Sequence, residues 1–120
     1  MKIYKEQILN TLHDSGWELI DIIEGCDWWA EEHWKIQSIK QCWGLIIFIH
    51  FKYDPLGSGL ARNNSVLTIE ATSVFNHVLY DDKDVIAEMY LQKGKFNENV
   101  AAFINAISSY RDNHSRNKHW

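Results

Sequence analysis

The densest chemistry in this 120-residue chain lies between Gly25 and Trp34, Gly-Cys-Asp-Trp-Trp-Ala-Glu-Glu-His-Trp. Ten residues hold three tryptophans, three carboxylates, one histidine and one thiol. Indoles left in water within a polar connector are unfavourable unless they pack against the core or bind something. Packed inward, Trp28, Trp29 and Trp34 cap one end of a sheet. Turned outward, they form a recognition surface, because tryptophan buries much area at small entropic cost. Asp27, Glu31 and Glu32 around them suit a basic protein, the acids speeding encounter and fixing orientation.

Two other chemistries draw on the same residues. Asp27 with Glu31 or Glu32 is a candidate carboxylate pair, and tryptophans beside paired acids suit a carbohydrate-binding or hydrolytic cleft. In an extended chain, however, neighbouring residues point to opposite faces, so Glu31 and Glu32 are not expected to line one cleft together. Cys26, His33, Cys42 and His50 offer the donor set of tetrahedral zinc. Their spacings of six, eight and seven intervening residues match none of the close-paired zinc motifs. There is no Gly-x-Ser-x-Gly, no phosphate-binding glycine loop and no His-Glu-x-x-His. The reading therefore favours a non-enzymatic role with no cofactor and no resident metal.

These residues must be held by a small set of elements. The alternation of Tyr4, Ile8, Leu9 and Leu12 predicts a helix from Ile3 to Ser15, with Lys5, Gln7, Asn10 and Asp14 outward and Gly16 closing it. Trp17–Ile23 is rich in β-branched and aromatic residues and reads as a strand. Gly25–Glu32 reads as a connection. His33–Lys40 and Leu45–Tyr53, linked through Gln41–Gly44, read as an antiparallel hairpin. In it, Trp34 and Ile36 oppose Lys35 and Gln37, and His50 shares a face with Ile46, Phe48 and Lys52.

Asp54–Asn64, with one proline and two glycines, reads as a loop, and Ser65–Ser73 as a half-buried strand with Thr68, Glu70 and Thr72 outward. Val85–Leu91 fits a strand after the Asp81–Asp84 turn; a helix capped by those aspartates fits its pattern too. A final helix is expected from a cap at Asn97, with Val100, Phe103, Ile104 and Ile107 as its apolar stripe. Two amphipathic helices and a sheet with one apolar face predict an α+β two-layer sandwich: N-terminal helix, mostly antiparallel sheet of about five strands, C-terminal helix. It would occupy 1–112 as a single domain, with 113–120 a frayed basic tail and the basic residues from Arg111 onward solvated.

Composition narrows the setting. Apolar residues at 46 % and charged residues at 23 % are ordinary for a globular domain and exclude a disordered one. Net charge is −4, yet Trp17–Trp34 holds six acids and no Lys or Arg. A nucleic-acid partner would call for a basic stripe on a folded element, so none is expected. The N-terminus lacks the apolar stretch of a secretory signal, and Leu45–Ile49 is far too short to span a bilayer. Two cysteines, too few for a disulfide scaffold, fit a reducing compartment. The sequence-level expectation is a cytoplasmic protein without membrane association, either monomer or homodimer. If Val85–Leu91 is an uncovered edge strand, it offers a route to dimerisation.

The helix–sheet–helix order and the acidic first third loosely resemble the architecture of frataxin, a family whose acidic ridge binds iron and a basic assembly partner. In that family the acids crowd the first helix, whereas here that helix offers little beyond Glu6 and Asp14. The leading expectation is a protein-interaction module of the inhibitor or immunity-protein type. It would occlude a basic partner through Asp27, Trp28, Trp29, Glu31, Glu32 and Trp34.

Overall fold

The computed structural model describes residues 3–24, 29–53, 66–75, 82–91 and 94–117. Cys26, Asp27, Trp28 and the expected loop Asp54–Asn64 lie outside the described residues. The order is α1 (Ile3–Asp14), β1 (Trp17–Glu24), β2 (Ala30–Ser38), β3 (Ile46–Tyr53), β4 (Val66–Thr72), a 3-10 turn (Asp82–Asp84), β5 (Val85–Tyr90) and α2 (Phe96–Asn117). All five strands form one antiparallel sheet in sequential order, β1-β2-β3-β4-β5, which is the expected α+β architecture. Of the two readings of Val85–Leu91, strand and capped helix, residues 85–90 take the strand.

Both helices lie on one face of the sheet. Ile8 and Leu12 of α1 and Val100, Phe103, Ile104 and Ile107 of α2 share a core with Trp17, Trp34, Ile36, Ile47, Ile49, Phe51, Ile69, Ala71 and Met89. Strand alternation supplies the sheet half of that core, with residues two apart on one face. The indole of Trp34 meets the ring of Phe51 edge-on at 4.7 Å between centroids.

Several elements differ from their expected bounds. β2 begins at Ala30, so Ala30–Glu32 belongs to the sheet and not to a connector. α2 starts at Phe96, which places Asn97 inside its first turn and not at its cap. α2 also continues to Asn117, so the first part of the expected tail is helical. Arg111 is buried: its guanidinium lies 5.0 Å from the Trp17 ring centroid and donates to the carbonyls of Ser15 (2.9 Å) and Gly16 (3.3 Å). These carbonyls lie just past the C-terminal end of α1, where the helix dipole also favours a cation. Ser108 is likewise engaged, its hydroxyl accepting from Trp17 Nε1 at 3.4 Å.

Among the described residues no helix is long and apolar enough to cross a membrane.

Candidate functional site

The start of β2 decides the fate of the acidic tryptophan segment. Pairing with β3 is irregular between Ala30, opposite Lys52, and Glu32, opposite Phe51. A β-bulge of this kind inserts a residue and re-aims its neighbours. Glu31 and Glu32 therefore do not diverge as a regular strand would have them. Both reach the ammonium of Lys5, at 3.4 Å and 2.5 Å. Lys5 is itself buried, in contrast to its expected outward position, and sits 4.9 Å from the centre of the Phe51 ring. Glu32 also accepts from Trp34 Nε1 at 2.5 Å, so the indole is polar-satisfied as well as packed.

This cluster raises the Tyr4 hydroxyl pKa, first through burial and then through the adjacent negative charge of Glu31 and Glu32. The Tyr53 hydroxyl is raised too, by burial first and then by Glu31, with Lys5 opposing. Trp34 is 0 % exposed and Trp29 5 %, so neither ring lies on the surface where an anchor is needed. Sequence spacing carried a signal for Lys5 that its charge concealed: residues 5, 8 and 12 form one helical stripe with Ile8 and Leu12.

The second constellation lies on the sheet face away from the helices. His33 of β2 stands directly opposite His50 of β3. Both rings are buried, and their Nδ1 atoms are 2.8 Å apart. His50 Nε2 lies 2.7 Å from Thr72 Oγ1, whose hydroxyl donates to the Val74 carbonyl at 2.6 Å. The tautomers follow from that single hydroxyl proton. Since it is given to Val74, Thr72 must accept from His50 Nε2–H. His50 Nδ1 is then an acceptor, and His33 Nδ1–H donates to it.

Burial, followed by repulsion from His33 and Lys52, pushes the His50 pKa down to about 3 and keeps the ring neutral. Trp29 packs 5.0 Å from the His33 centroid and 5.4 Å from that of His50, while Phe75 covers both rings and stacks on Phe48. Lys52 and Glu70 form an ion pair beside them. Glu70 and Thr72, expected to be outward, are buried under this roof, so β4 is covered on both faces at its end.

The two histidines do not extend to the four-ligand metal set. Cys42 sits in the turn after β2, beyond Ser38, whereas His33 and His50 pair towards the other end of the hairpin. Cys42 carries a free thiol, and among the described residues no group of three or more His, Cys, Asp or Glu is placed to hold a metal ion. The carboxylate pair proposed for a sugar cleft is likewise committed to Lys5 where it is described.

Of the described tryptophans, Trp43 alone faces outward. Trp43 is 73 % exposed, at the tip of the β2–β3 hairpin. The tip is well tied: Ser38 N–H donates to Leu45 O, Gly44 N–H to Ser38 O, Leu45 N–H to Cys42 O, and the Ser38 hydroxyl to Gln41 O. Cys42 holds φ +50, a left-handed conformation that turns the chain before Trp43. Ile39 N–H donates to Gly16 O at 2.8 Å, fastening the tip to the α1–β1 junction. Gln37 stands opposite Glu18 and has its amide beside Gly44, so the tip adjoins an edge carrying exposed Glu18, Asp21 and Glu24. Gln41–Gly44 is a turn, as expected, and no pattern in the sequence marks its tryptophan as exposed.

No family model matches this chain, and no match was found among curated proteins or solved structures, so the architectural likeness to frataxin has no counterpart in these comparisons.

Proposed function

We propose that the chain is a protein-interaction module whose recognition surface is centred on Trp43 and flanked by Glu18 and Asp21. In its most concrete form it is an inhibitor or immunity-type protein that occludes a basic partner. The observation that carries this reading is the exposure of Trp43 on a turn held by four hydrogen bonds. A rigid, exposed indole presents large apolar area with little left to order on binding, which is what a hot-spot anchor requires. Carboxylates beside it favour a partner rich in Lys and Arg. The groups best suited to catalysis support the same reading from the other side, because buried His33 and His50 are bonded to each other and buried Lys5 is bonded to half-buried Glu32. This reading prefers the hairpin tip to the Gly25–Trp34 segment because Trp29 and Trp34 are buried, while Asp27 and Trp28 lie outside the described residues.

Affinity capture from the native source, read by mass spectrometry, tests the proposal with wild-type, Trp43→Ala and Glu18→Lys/Asp21→Lys baits. A basic protein retained by the wild type and lost by both variants is expected. Equal retention by all three baits would sink the assignment of this surface.

A further inference from the structure

Among the described residues the sheet ends in two unpaired edges, β1 and β5, of different character. β1 carries exposed Glu18, Asp21 and Glu24 and an irregularity between Leu19 and Asp21. Charge and bulges are the devices that keep an edge from pairing with another chain. β5 reads Val-Ile-Ala-Glu-Met-Tyr, with Glu88 as its single charge and Tyr90 55 % exposed. Only one of the two edges is guarded.

The backbone of β5 shows which groups lie open. Leu91 N–H donates to Leu67 O at 2.8 Å. By alternation, Met89 and Ala87 turn their N–H and C=O groups towards β4, and Glu88 and Tyr90 turn theirs towards the free edge. Asn99 Nδ2 donates to Tyr90 O at 3.2 Å, taking one of that oxygen's two lone pairs. Beside the edge, between β5 and α2, runs an open groove of about 310 Å³ lined by Ala87, Met89, Tyr90, Asn99, Ala102 and Ala106. Ala102 and Ala106 are exposed, and residues this small let a second helix approach closely.

We propose that a second copy of this chain pairs with the β5 edge, antiparallel about a two-fold axis normal to the sheet at Met89. That axis keeps the helices of both copies on one side and joins the two sheets into one. Charge selects the register. An axis at Glu88 sets two carboxylates directly opposite, which is unfavourable. An axis at Ala87 draws on Ile86, the residue skipped where pairing passes from Ala71–Ala87 to Thr72–Val85. An axis at Met89 sets Glu88 opposite Tyr90 of the second copy, and the reverse. Each phenol then donates to a carboxylate, and four backbone hydrogen bonds close between the outward groups. On the other face Ala87 meets Leu91 of the second copy, prolonging the apolar row beneath α2.

The test is the mass of the full chain by light scattering, from micromolar to submillimolar concentration. The wild type is expected to reach twice 14.1 kDa. Glu88→Pro removes an N–H that faces the open edge and leaves the ladder to β4 intact, so the variant should fold and dissociate at least roughly tenfold more readily. Trp43→Ala should dimerise as the wild type does, which separates this interface from the one on the hairpin tip. In a Cys26→Ser/Cys42→Ser background, Met89→Cys should form a covalent dimer on mild oxidation, because facing non-hydrogen-bonded positions lie about 4.5 Å apart at Cα, within disulfide reach. A wild type that stays at 14.1 kDa throughout, a folded Glu88→Pro chain that dimerises equally well, or cross-linking at Ala87→Cys in place of Met89→Cys overturns the proposal. Binding of a foreign extended peptide to a monomeric wild type would assign the edge to a different partner and overturn it as well.

Discussion

At the scale of single residues, the chain places its most reactive groups where they specify structure. His50 illustrates the consequence. Its ordinary pKa of 6.5 falls to about 3 in the folded chain, because burial and the neighbouring His33 and Lys52 disfavour the cation. Below pH 6.5 the unfolded chain takes up a proton that the folded chain refuses. The contribution of His50 to stability is therefore complete above pH 6.5, declines by about 1.4 kcal/mol per pH unit as pH falls, and levels off near pH 3. Urea unfolding at a series of pH values should show this slope in the wild type. His50→Gln, which can donate to Thr72 and accept from His33, should flatten it by about that amount; parallel profiles would contradict the assignment. The face on which His50 lies was legible from alternation alone. Its partner was not, because the pairing of His33 with His50 depends on hairpin register, and register follows from turn geometry that the sequence does not spell out. Lys5 escaped for another reason. A charged side chain is normally placed outward, and only two carboxylates delivered by a β-bulge give it a reason to point in.

At the scale of elements, local chemistry located helices and strands well and their junctions less well. Apolar periodicity found α1, the β2–β3 hairpin, β4 and the stripe of α2, since each buries one face against the same core. The start of β2 was missed because Ala30, Glu31 and Glu32 have poor strand propensity; tertiary pairing with Lys52 and Phe51 overrides it. Gly16, by contrast, was recognisable as the residue that ends α1, and the structure gives a second reason for it. Its φ is +87°, and an added Cβ would lie 2.6 Å from the Lys40 side chain that crosses it. Gly94 has a similar φ of +89° with nothing within 4 Å. Gly94→Ala should therefore cost about 1 kcal/mol from backbone strain alone, and Gly16→Ala more than that. Thermal or urea denaturation of both variants measures the difference, and repeating Gly16→Ala in a Lys40→Ala background should shrink it. Equal costs in the Lys40-containing chain would mean that the lysine stem moves aside freely.

At the scale of the whole molecule, the four described tryptophans divide into two roles that composition cannot separate. Trp17, Trp29 and Trp34 are buried; Trp43 is not. The residue type alone permits either fate, and the acid-rich setting of Gly25–Trp34 pointed the reading outward where the fold turns two of its rings inward. What distinguishes Trp43 is its place beyond the end of the paired ladder, on a turn whose backbone hydrogen bonds are made without the indole. Stability and recognition should for that reason come apart. Trp34→Ala opens a void beneath α1 and leaves Glu32 without one of its donors, so a loss of about 3–5 kcal/mol is expected, enough to threaten folding of a domain this small. Trp43→Ala removes a ring that the core does not use, and the unfolding free energy should change by no more than about 0.5 kcal/mol. Measured together by urea denaturation, the pair is informative whichever way it falls. A stable Trp43→Ala chain that no longer retains its partner marks the indole as an anchor held for binding. A Trp43→Ala chain destabilised by several kcal/mol would show instead that the hairpin tip is part of what folds the sheet, and the interaction surface would then have to be sought elsewhere on the molecule.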